Sequence, residues 1–184
     1  IVLRAPMASG TLRVIFSAMI AMSVKANGNE EQGWQWLKGL DANTKTYAAD
    51  PTQMYLKLNG PDEPVTLWNM PDIILQEKSY GYPFGFLFPK SGTVVLTDGI
   101  ALVKGGKNSE DAKKFYEFVT SADAMKLQAE KFYRIPARTD IPKDALPDWI
   151  KKADYKELEL DWDLISEKES DWMKKWDAEV KGKK

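Results

Sequence analysis

Three short strand-like runs alternate with helix-like segments in the first 68 residues. The strand-like runs span residues 1–5, 45–48 and 64–68, and the helix-like segments span 11–26, 29–43 and 50–60. Parallel strands can be joined only by a long crossover, usually a helix. This alternation therefore predicts an α/β fold with a parallel-rich sheet flanked by helices.

Capping residues predict where these helices begin and end. Asn27-Gly28 is typical of a helix C-terminus, because glycine readily adopts the left-handed conformation found there. Asp50 is placed to cap the third helix, and Pro51 falls in its first turn. The run Asn69-Met70-Pro71 is predicted to end the strand at 64–68.

The second half of the chain carries mainly helical signals. The aromatic-rich segment 78–92 is interrupted by glycine and proline, which predicts a crossing between lobes. Residues 93–105 predict two strands with a turn at Asp98-Gly99. Residues 108–132 predict two linked helices, with Ser121 capping the second and Phe115 and Phe118 on the inner side of the first. A last amphipathic helix is predicted over 164–180.

Composition excludes several kinds of chemistry. The 184 residues include no cysteine and no histidine, so disulfides, thiolate metal sites and Ser-His-Asp or Cys-His catalysis are impossible. The net charge of -1 offers no basic field for nucleic acid. No run is apolar enough to span a bilayer. The composition favours binding over catalysis.

The chain begins at Ile1, inside the first strand pattern, without an initiator methionine or a signal peptide. We interpret the sequence as the C-terminal part of a longer protein. The lack of cysteine agrees with an exported bacterial protein.

Ser9-Gly10-Thr11 connects the first predicted strand to the first helix, and two interpretations are open. Ser9 can cap the helix while Gly10 permits the turn. Alternatively, the free N–H groups of the helix N-terminus and the adjacent hydroxyls can bind an anion.

Trp68-Asn69 and an aromatic cluster are further candidates. Trp68 and Asn69 end a predicted parallel strand, where ligands bind in open α/β sheets, but a core tryptophan followed by a turn is equally compatible. Alternation places Tyr80, Tyr82, Phe84 and Phe86 on one side of an extended segment, which could line a cleft or pack against a helix. Arg4 and Arg13 could counter an anion, although isolated arginines are typically surface charges.

Residues 88–141 closely resemble the C-terminal part of the extracellular solute-binding proteins of ABC transporters, in the group with ferric-iron, spermidine/putrescine, thiamine and phosphonate binders. The shared pattern is a Pro-x-x-Gly turn, a strand pair ending "GIALVKG", a helix with "AKKF" and "FVTS", and a helix leading to "RIPAR". The matching residues are Pro89, Gly92, Gly99, Ile100, Ala112, Phe115, Phe118, Ser121 and Arg138. The "P-x-x-SGT" run at 6–11 is also similar, so the resemblance covers nearly the whole chain.

The resemblance implies a two-lobed, type II periplasmic-binding fold that closes on its ligand. Residues 1–88 would form the second lobe. Residues 89–184 would be the crossover and the helical return segment of the first lobe, whose N-terminal half is missing. In related binders, the turn at the helix start of the second lobe donates hydrogen bonds to an anionic part of the ligand. The resemblance therefore favours ligand contact by Ser9, Gly10 and Thr11.

The ferric members carry adjacent tyrosines, often with histidine, where this chain has "LWNMPD" at 67–72. Because neither tyrosine nor histidine stands there, no metal site is predicted. The predicted ligand is a small anionic or polar solute, contacted by Ser9, Gly10, Thr11, Trp68, Asn69 and Tyr82.

The predicted function is the substrate-binding component of an ABC importer, which delivers its solute to a membrane permease. No catalytic residue, cofactor or nucleic-acid partner is predicted, and the protein is not expected to be an enzyme. An effector-sensing domain of a regulator or receptor is the alternative. The implied location is periplasmic or extracellular, with lipid anchoring through the missing N-terminal part as one form. The chain is also expected to expose apolar surface and to self-associate or pair with the missing segment.

Overall fold

A computed structural model describes residues 1–182 and shows two compact units. Unit 1 consists of Ile1–Asn69 together with the C-terminal segment from Leu158, and unit 2 of Met70–Glu157. The predicted lobe division at residue 88 concerns the complete family fold and stays a prediction.

A parallel sheet of two strands is central to unit 1. Strands β1 (Val2–Arg4) and β2 (Thr46–Ala48) pair in register, with Leu3 opposite Tyr47. Both strands and their parallel orientation agree with the sequence prediction. The prediction of a third strand at 64–68 was wrong, because this run forms no strand in the described chain. Its backbone accepts one hydrogen bond from β1, from the Val2 N–H to the Val65 C=O at 3.0 Å. Pro64 has no N–H to donate, which weakens any ladder there.

Three helices in the first part of unit 1 follow their capping signals. Helix α1 (Gly10–Asn27) ends at Gly28, which has a φ of 72°. Helix α2 spans Glu31–Asn43. Helix α3 (Pro51–Leu58) begins at Asp50, whose Oδ1 accepts a hydrogen bond from the Gln53 N–H at 2.8 Å. These boundaries confirm the prediction to within a few residues.

The last helix of the chain, α8 (Trp162–Glu179), packs on α1 and completes the core of unit 1. Trp176 is fully buried, with its ring 5.4 Å from that of Phe16 and 5.2 Å from that of Tyr47. The buried members of this core are Leu3, Leu12, Phe16, Ile20, Ala21, Trp34, Leu37, Ile165, Trp172, Met173, Trp176 and Val180. Amphipathic periodicity had predicted α8.

Asp41 anchors the end of the described chain to α2. Its carboxylate accepts hydrogen bonds from the Tyr47 hydroxyl at 2.8 Å and from the Gly182 N–H at 3.0 Å. Burial, followed by the bond to Asp41, raises the pKa of Tyr47, so the phenol stays protonated and keeps donating.

Unit 2 consists mainly of helices. Its elements are α4 (Met70–Tyr80), α5 (Ser109–Val119), α6 (Ala122–Phe132), a 3₁₀ turn (Lys143–Ala145) and α7 (Asp148–Lys151). Ser121 caps α6 as predicted, accepting a hydrogen bond from the Ala124 N–H at 3.2 Å. Helix α4 differs from the sequence prediction, in which Asn69-Met70-Pro71 ends a strand and no helix follows. Pro71 instead occupies the first turn of α4, a position that tolerates proline.

The strand pair predicted over 93–105 is absent from the described residues of unit 2. Only Thr93 pairs, in an isolated bridge with Glu157. A strand needs a neighbour for its backbone N–H and C=O groups, and none lies beside residues 94–105 within the described chain. Val103 is accordingly 82% exposed.

The inner side predicted for α5 was also wrong in the described chain. Phe115 is 61% exposed and Phe118 is 63% exposed, and α5 has no buried residue. The helix is amphipathic, but none of the described elements covers its apolar side. This exposed side of α5 agrees with the expectation, drawn from the sequence, that the chain exposes apolar surface.

Glu30 joins the start of α2 to α8 within unit 1. Its two carboxylate oxygens accept hydrogen bonds of 2.8 Å from the indole N–H groups of Trp34 and Trp172. Desolvation by burial acts to raise the pKa of Glu30. The two indole donors, together with Lys175 and Lys168, outweigh that effect, so the pKa is lowered from 4.5.

We expect Glu30→Gln to lower the free energy of unfolding by about 1–2 kcal/mol at pH 7, because both indole donors lose a charged acceptor. A lowered pKa stabilises the folded state above the ordinary value of 4.5, and the benefit is lost as the pH falls through the lowered value. The difference between wild type and variant should therefore shrink below about pH 4.5. Urea unfolding at several pH values measures this difference in the free energy of unfolding. Glu31→Gln, at the exposed neighbouring residue, is the control, and an equal loss in both variants would contradict the role of Glu30.

Candidate functional site

The turn before α1 gives Ser9 a structural role. Its Oγ accepts a hydrogen bond from the Leu12 N–H at 3.4 Å, so Ser9 is the N-cap of α1. Its own N–H donates to the Pro6 carbonyl in the preceding 3₁₀ turn (Pro6–Ala8). The capping interpretation of Ser9 is therefore confirmed. Ligand contact by the same residue stays a prediction.

The next two residues leave hydrogen-bond donors available at this helix N-terminus. Gly10 is exposed and Thr11 is half-buried. Among the described residues, no backbone acceptor is found for the N–H of either one. The N-terminus of an 18-residue helix also carries partial positive charge. This turn can thus donate to an anion.

Asn69 lies against the same turn. Its Nδ2 donates to Thr11 Oγ1 at 3.1 Å, and the Thr11 hydroxyl lies 3.4 Å from Asn69 Oδ1. The two residues are 58 positions apart in the sequence. The structure therefore brings together two features that the sequence analysis had selected separately.

Trp68 is held beside this pair. Its Nε1–H donates to the Tyr55 hydroxyl at 3.0 Å, and its ring packs partly against the core of unit 1. The guanidinium carbon of Arg4 lies 6.0 Å from the centre of the Trp68 ring. Trp68 thus has a packing role and also forms part of the surroundings of the turn.

Arg4 differs from the surface position typical of an isolated arginine, because its side chain is buried and only 8% exposed. Its Nη2 donates to the Ala8 carbonyl at 3.1 Å, and its Nε is buried without a partner. The signal was its place in the run "IVLRA", where apolar residues on both sides indicate a strand buried on both faces.

Arg13 has a different environment. Its Nη2 donates to the Met7 carbonyl at 3.2 Å and its Nε lies 3.9 Å from Glu169 Oε1. The side chain is 39% exposed, which agrees with the prediction of a surface charge.

Tyr82 belongs to unit 2, where it stacks on Phe84 with ring centres 4.8 Å apart. The aromatic series continues with Phe86 against Phe88 and Phe88 against Tyr155. Of the two alternatives for this aromatic cluster, the structure agrees with packing. The packing partners are other aromatic rings and not a helix. Contact between Tyr82 and a ligand stays a prediction.

A shallow depression of about 420 Å³ lies between α2 and α8 and contains none of the predicted site residues. Both oxygens of its Glu30 are taken by indole N–H groups. The described residues 1–182 hold no cluster of three or more Asp or Glu suited to a metal ion. In the same part of the chain, every helix is too short or too polar to cross a membrane.

A family model described as bacterial extracellular solute-binding protein matches residues 6–157. The chain belongs to this family. The match covers the turn, Arg13, Trp68, Asn69 and all of unit 2, and it confirms the resemblance found in the sequence. Solute-binding proteins of this family are non-enzymatic carriers located outside the cytoplasm.

Two curated relatives agree with this assignment. "Probable ABC transporter periplasmic-binding protein y4fP" of Sinorhizobium fredii is 29% identical over 91 residues, which cover 49% of this chain and 25% of that protein. "Iron uptake protein A1" of Synechocystis is 30% identical over 139 residues, covering 68% of this chain and 38% of that protein.

The ferric binding protein from Campylobacter jejuni has a similar fold, with a TM-score of 0.74 at 24% identity. The alignment covers 96% of this chain and 57% of that one. It confirms the predicted α/β, type II periplasmic-binding fold class. The chain thus spans between a quarter and about three fifths of the length of these relatives.

Proposed function

We propose that this solute-binding protein captures a small anionic or polar solute at the N-terminus of α1 and delivers it to the membrane permease of an ABC importer. The observation that carries the proposal is the Thr11–Asn69 hydrogen bond of 3.1 Å. It joins the helix start to the segment after residues 64–68. Within the described chain, no backbone acceptor is found there for the N–H groups of Gly10 and Thr11.

In this proposal, Gly10 and Thr11 donate their N–H groups to the solute while Ser9 keeps the helix start in place. The Asn69 amide donates to Thr11 Oγ1 and so orients the Thr11 hydroxyl, whose proton donates to the solute as well. Trp68 supplies a flat apolar wall. Tyr82, which belongs to the same proposed lobe as the turn, would add a further contact to a solute held in an interlobe cleft. The two lobes would be residues 1–88 and the part completed by 89–184, closing by a hinge motion.

Two of the similar proteins have iron in their names, the iron uptake protein and the ferric binding protein. A ferric ion is therefore the second candidate ligand. Against it, residues 67–72 contain neither tyrosine nor histidine, and the described residues lack an acidic metal cluster. Hard metal ions need several oxygen ligands, so an anionic solute fits the turn better.

The partners and the location follow from the same proposal. The exposed Phe115 and Phe118 on α5 offer an apolar surface for self-association or for pairing with a preceding segment. A lipid anchor on such a segment would hold the protein at the membrane. An effector-sensing domain on the same fold remains the alternative. A DNA-binding helix pair or a transmembrane segment upstream in the gene would support that alternative.

Native mass spectrometry of the protein as its host produces it tests the solute. We expect a small molecule to co-purify, and Thr11→Val to weaken its binding at least about tenfold, since one hydrogen bond to a charged group is lost. A bound ferric ion would instead favour the second candidate.

Thr52→Val is the matched control, since Thr52 is an exposed threonine in the first turn of α3. It should leave binding unchanged. Retention of the solute by the Thr11→Val variant at wild-type affinity would contradict the proposed site.

A further inference from the structure

We infer that Arg4 selects the charge of the solute, so that the site takes a molecule with a phosphate, sulfonate or carboxylate group and discriminates against neutral polar solutes. This inference rests on the proposed function and makes it narrower. It assigns the recognition of charge to one buried side chain.

The first support is the missing counter-ion. Arg4 is 8% exposed, yet none of the described carboxylates forms an ion pair with it. Its partners are the Ala8 carbonyl, at 3.1 Å, and the face of the Trp68 ring, and its Nε has no partner. Burying a charge without an opposite charge costs free energy. The partners of Arg4 among the described residues include no negatively charged group, and a bound anion would supply one.

The second support is the position of the guanidinium. The Ala8 carbonyl that holds Nη2 directly precedes Ser9, the N-cap of α1. The N-terminus of a helix carries partial positive charge, so a cation there is repelled and an anion is attracted. Arg4 and the helix end therefore both favour an oxyanion at the same turn.

Arg13 shows the usual environment of an arginine, with a carboxylate nearby. It also donates to a carbonyl of the 3₁₀ turn, that of Met7, but it lies 3.9 Å from Glu169. The two arginines thus have similar backbone anchors, and the Nε of each is buried without a hydrogen bond. They differ in whether a carboxylate faces them. This makes Arg13 the matched control.

The chemistry of the guanidinium group also indicates how an oxyanion would be bound. A guanidinium presents its N–H donors in a fork that matches two oxygens of a carboxylate, phosphate or sulfonate. The N–H groups of Gly10 and Thr11 could bond a remaining oxygen. A neutral solute could use the same donors but would leave the charge of Arg4 unpaired.

Calorimetric titration of the full protein with inorganic phosphate, at constant ionic strength, tests the inference. Arg4→Met replaces the charge with an apolar chain of similar length. We expect it to weaken phosphate binding at least about tenfold, as for loss of a charged hydrogen-bond donor. Arg13→Met should change it less than about threefold.

The outcomes distinguish the role of Arg4 from the proposed binding site at the turn. If Arg4→Met binds phosphate as wild type does while Thr11→Val does not, the role of Arg4 is overturned and the proposed site stands. A co-purified solute without negative charge, or no phosphate binding by wild type at tens of millimolar, also overturns the inference. Should Arg4→Met fail to fold by circular dichroism, Arg4→Gln takes its place, because it removes the charge and keeps a polar side chain with N–H donors. Wild-type affinity for phosphate in Arg4→Gln would overturn the inference as well.

Discussion

Replacing Trp176 with alanine should lower the free energy of unfolding by about 4 kcal/mol, the largest effect we expect from a single substitution in this chain. Trp176 is fully buried in α8 and packs edge-on against the rings of Phe16 and Tyr47. Truncation would remove a large apolar area and both aromatic contacts, and it would leave a cavity where α8 meets α1 and the sheet.

Urea unfolding followed by far-ultraviolet circular dichroism measures this loss. Trp162→Ala is the control, because Trp162 lies in the first turn of the same helix and is 46% exposed. That variant should lose less than about 1 kcal/mol. Equal losses at the two tryptophans would show that α8 is not anchored through Trp176.

Gly33→Ala should destabilise unit 1 by about 3 kcal/mol, the upper part of the usual range for overpacking. A Cβ on Gly33 would lie 2.5 Å from the Ile20 Cα and 2.9 Å from the Met19 carbonyl oxygen. Both atoms belong to the backbone of α1, so no side-chain rotation can relieve the contact. Helices α1 and α2 would have to move apart.

Gly39→Ala, in the same helix α2, should have the opposite sign. A Cβ at Gly39 meets nothing within 4 Å, and alanine is the better helix former by about 1 kcal/mol. Thermal unfolding of both variants measures the contrast. An unchanged melting temperature for Gly33→Ala would contradict the close approach of α1 and α2.

Helix ends were predictable because their signals are local. Ser9, Asp50 and Ser121 each accept a hydrogen bond from an N–H three residues later, an interaction that residue type and spacing alone indicate. The error at α4 has the same origin. Pro71 is compatible with either a stop or a first helical turn, and the neighbouring residues do not distinguish them.

Strands and apolar faces were less predictable because they depend on partners. The runs 64–68 and 94–103 have strand-like composition, but a strand forms only where another backbone completes its hydrogen bonds. Likewise, the pattern of α5 predicted an amphipathic helix correctly and could not show whether its apolar side is covered.

The candidate site divides in the same way. Residue type and short spacing were enough to predict the small-residue turn at the start of α1, the family of the chain and the exclusion of cysteine and histidine chemistry. The contact between Asn69 and Thr11, 58 residues apart, and the burial of Arg4 beside the turn without a carboxylate were found in the packed structure alone. Which side chains meet, and which charges stay unpaired, depends on how distant segments pack, and a local sequence pattern does not specify that packing.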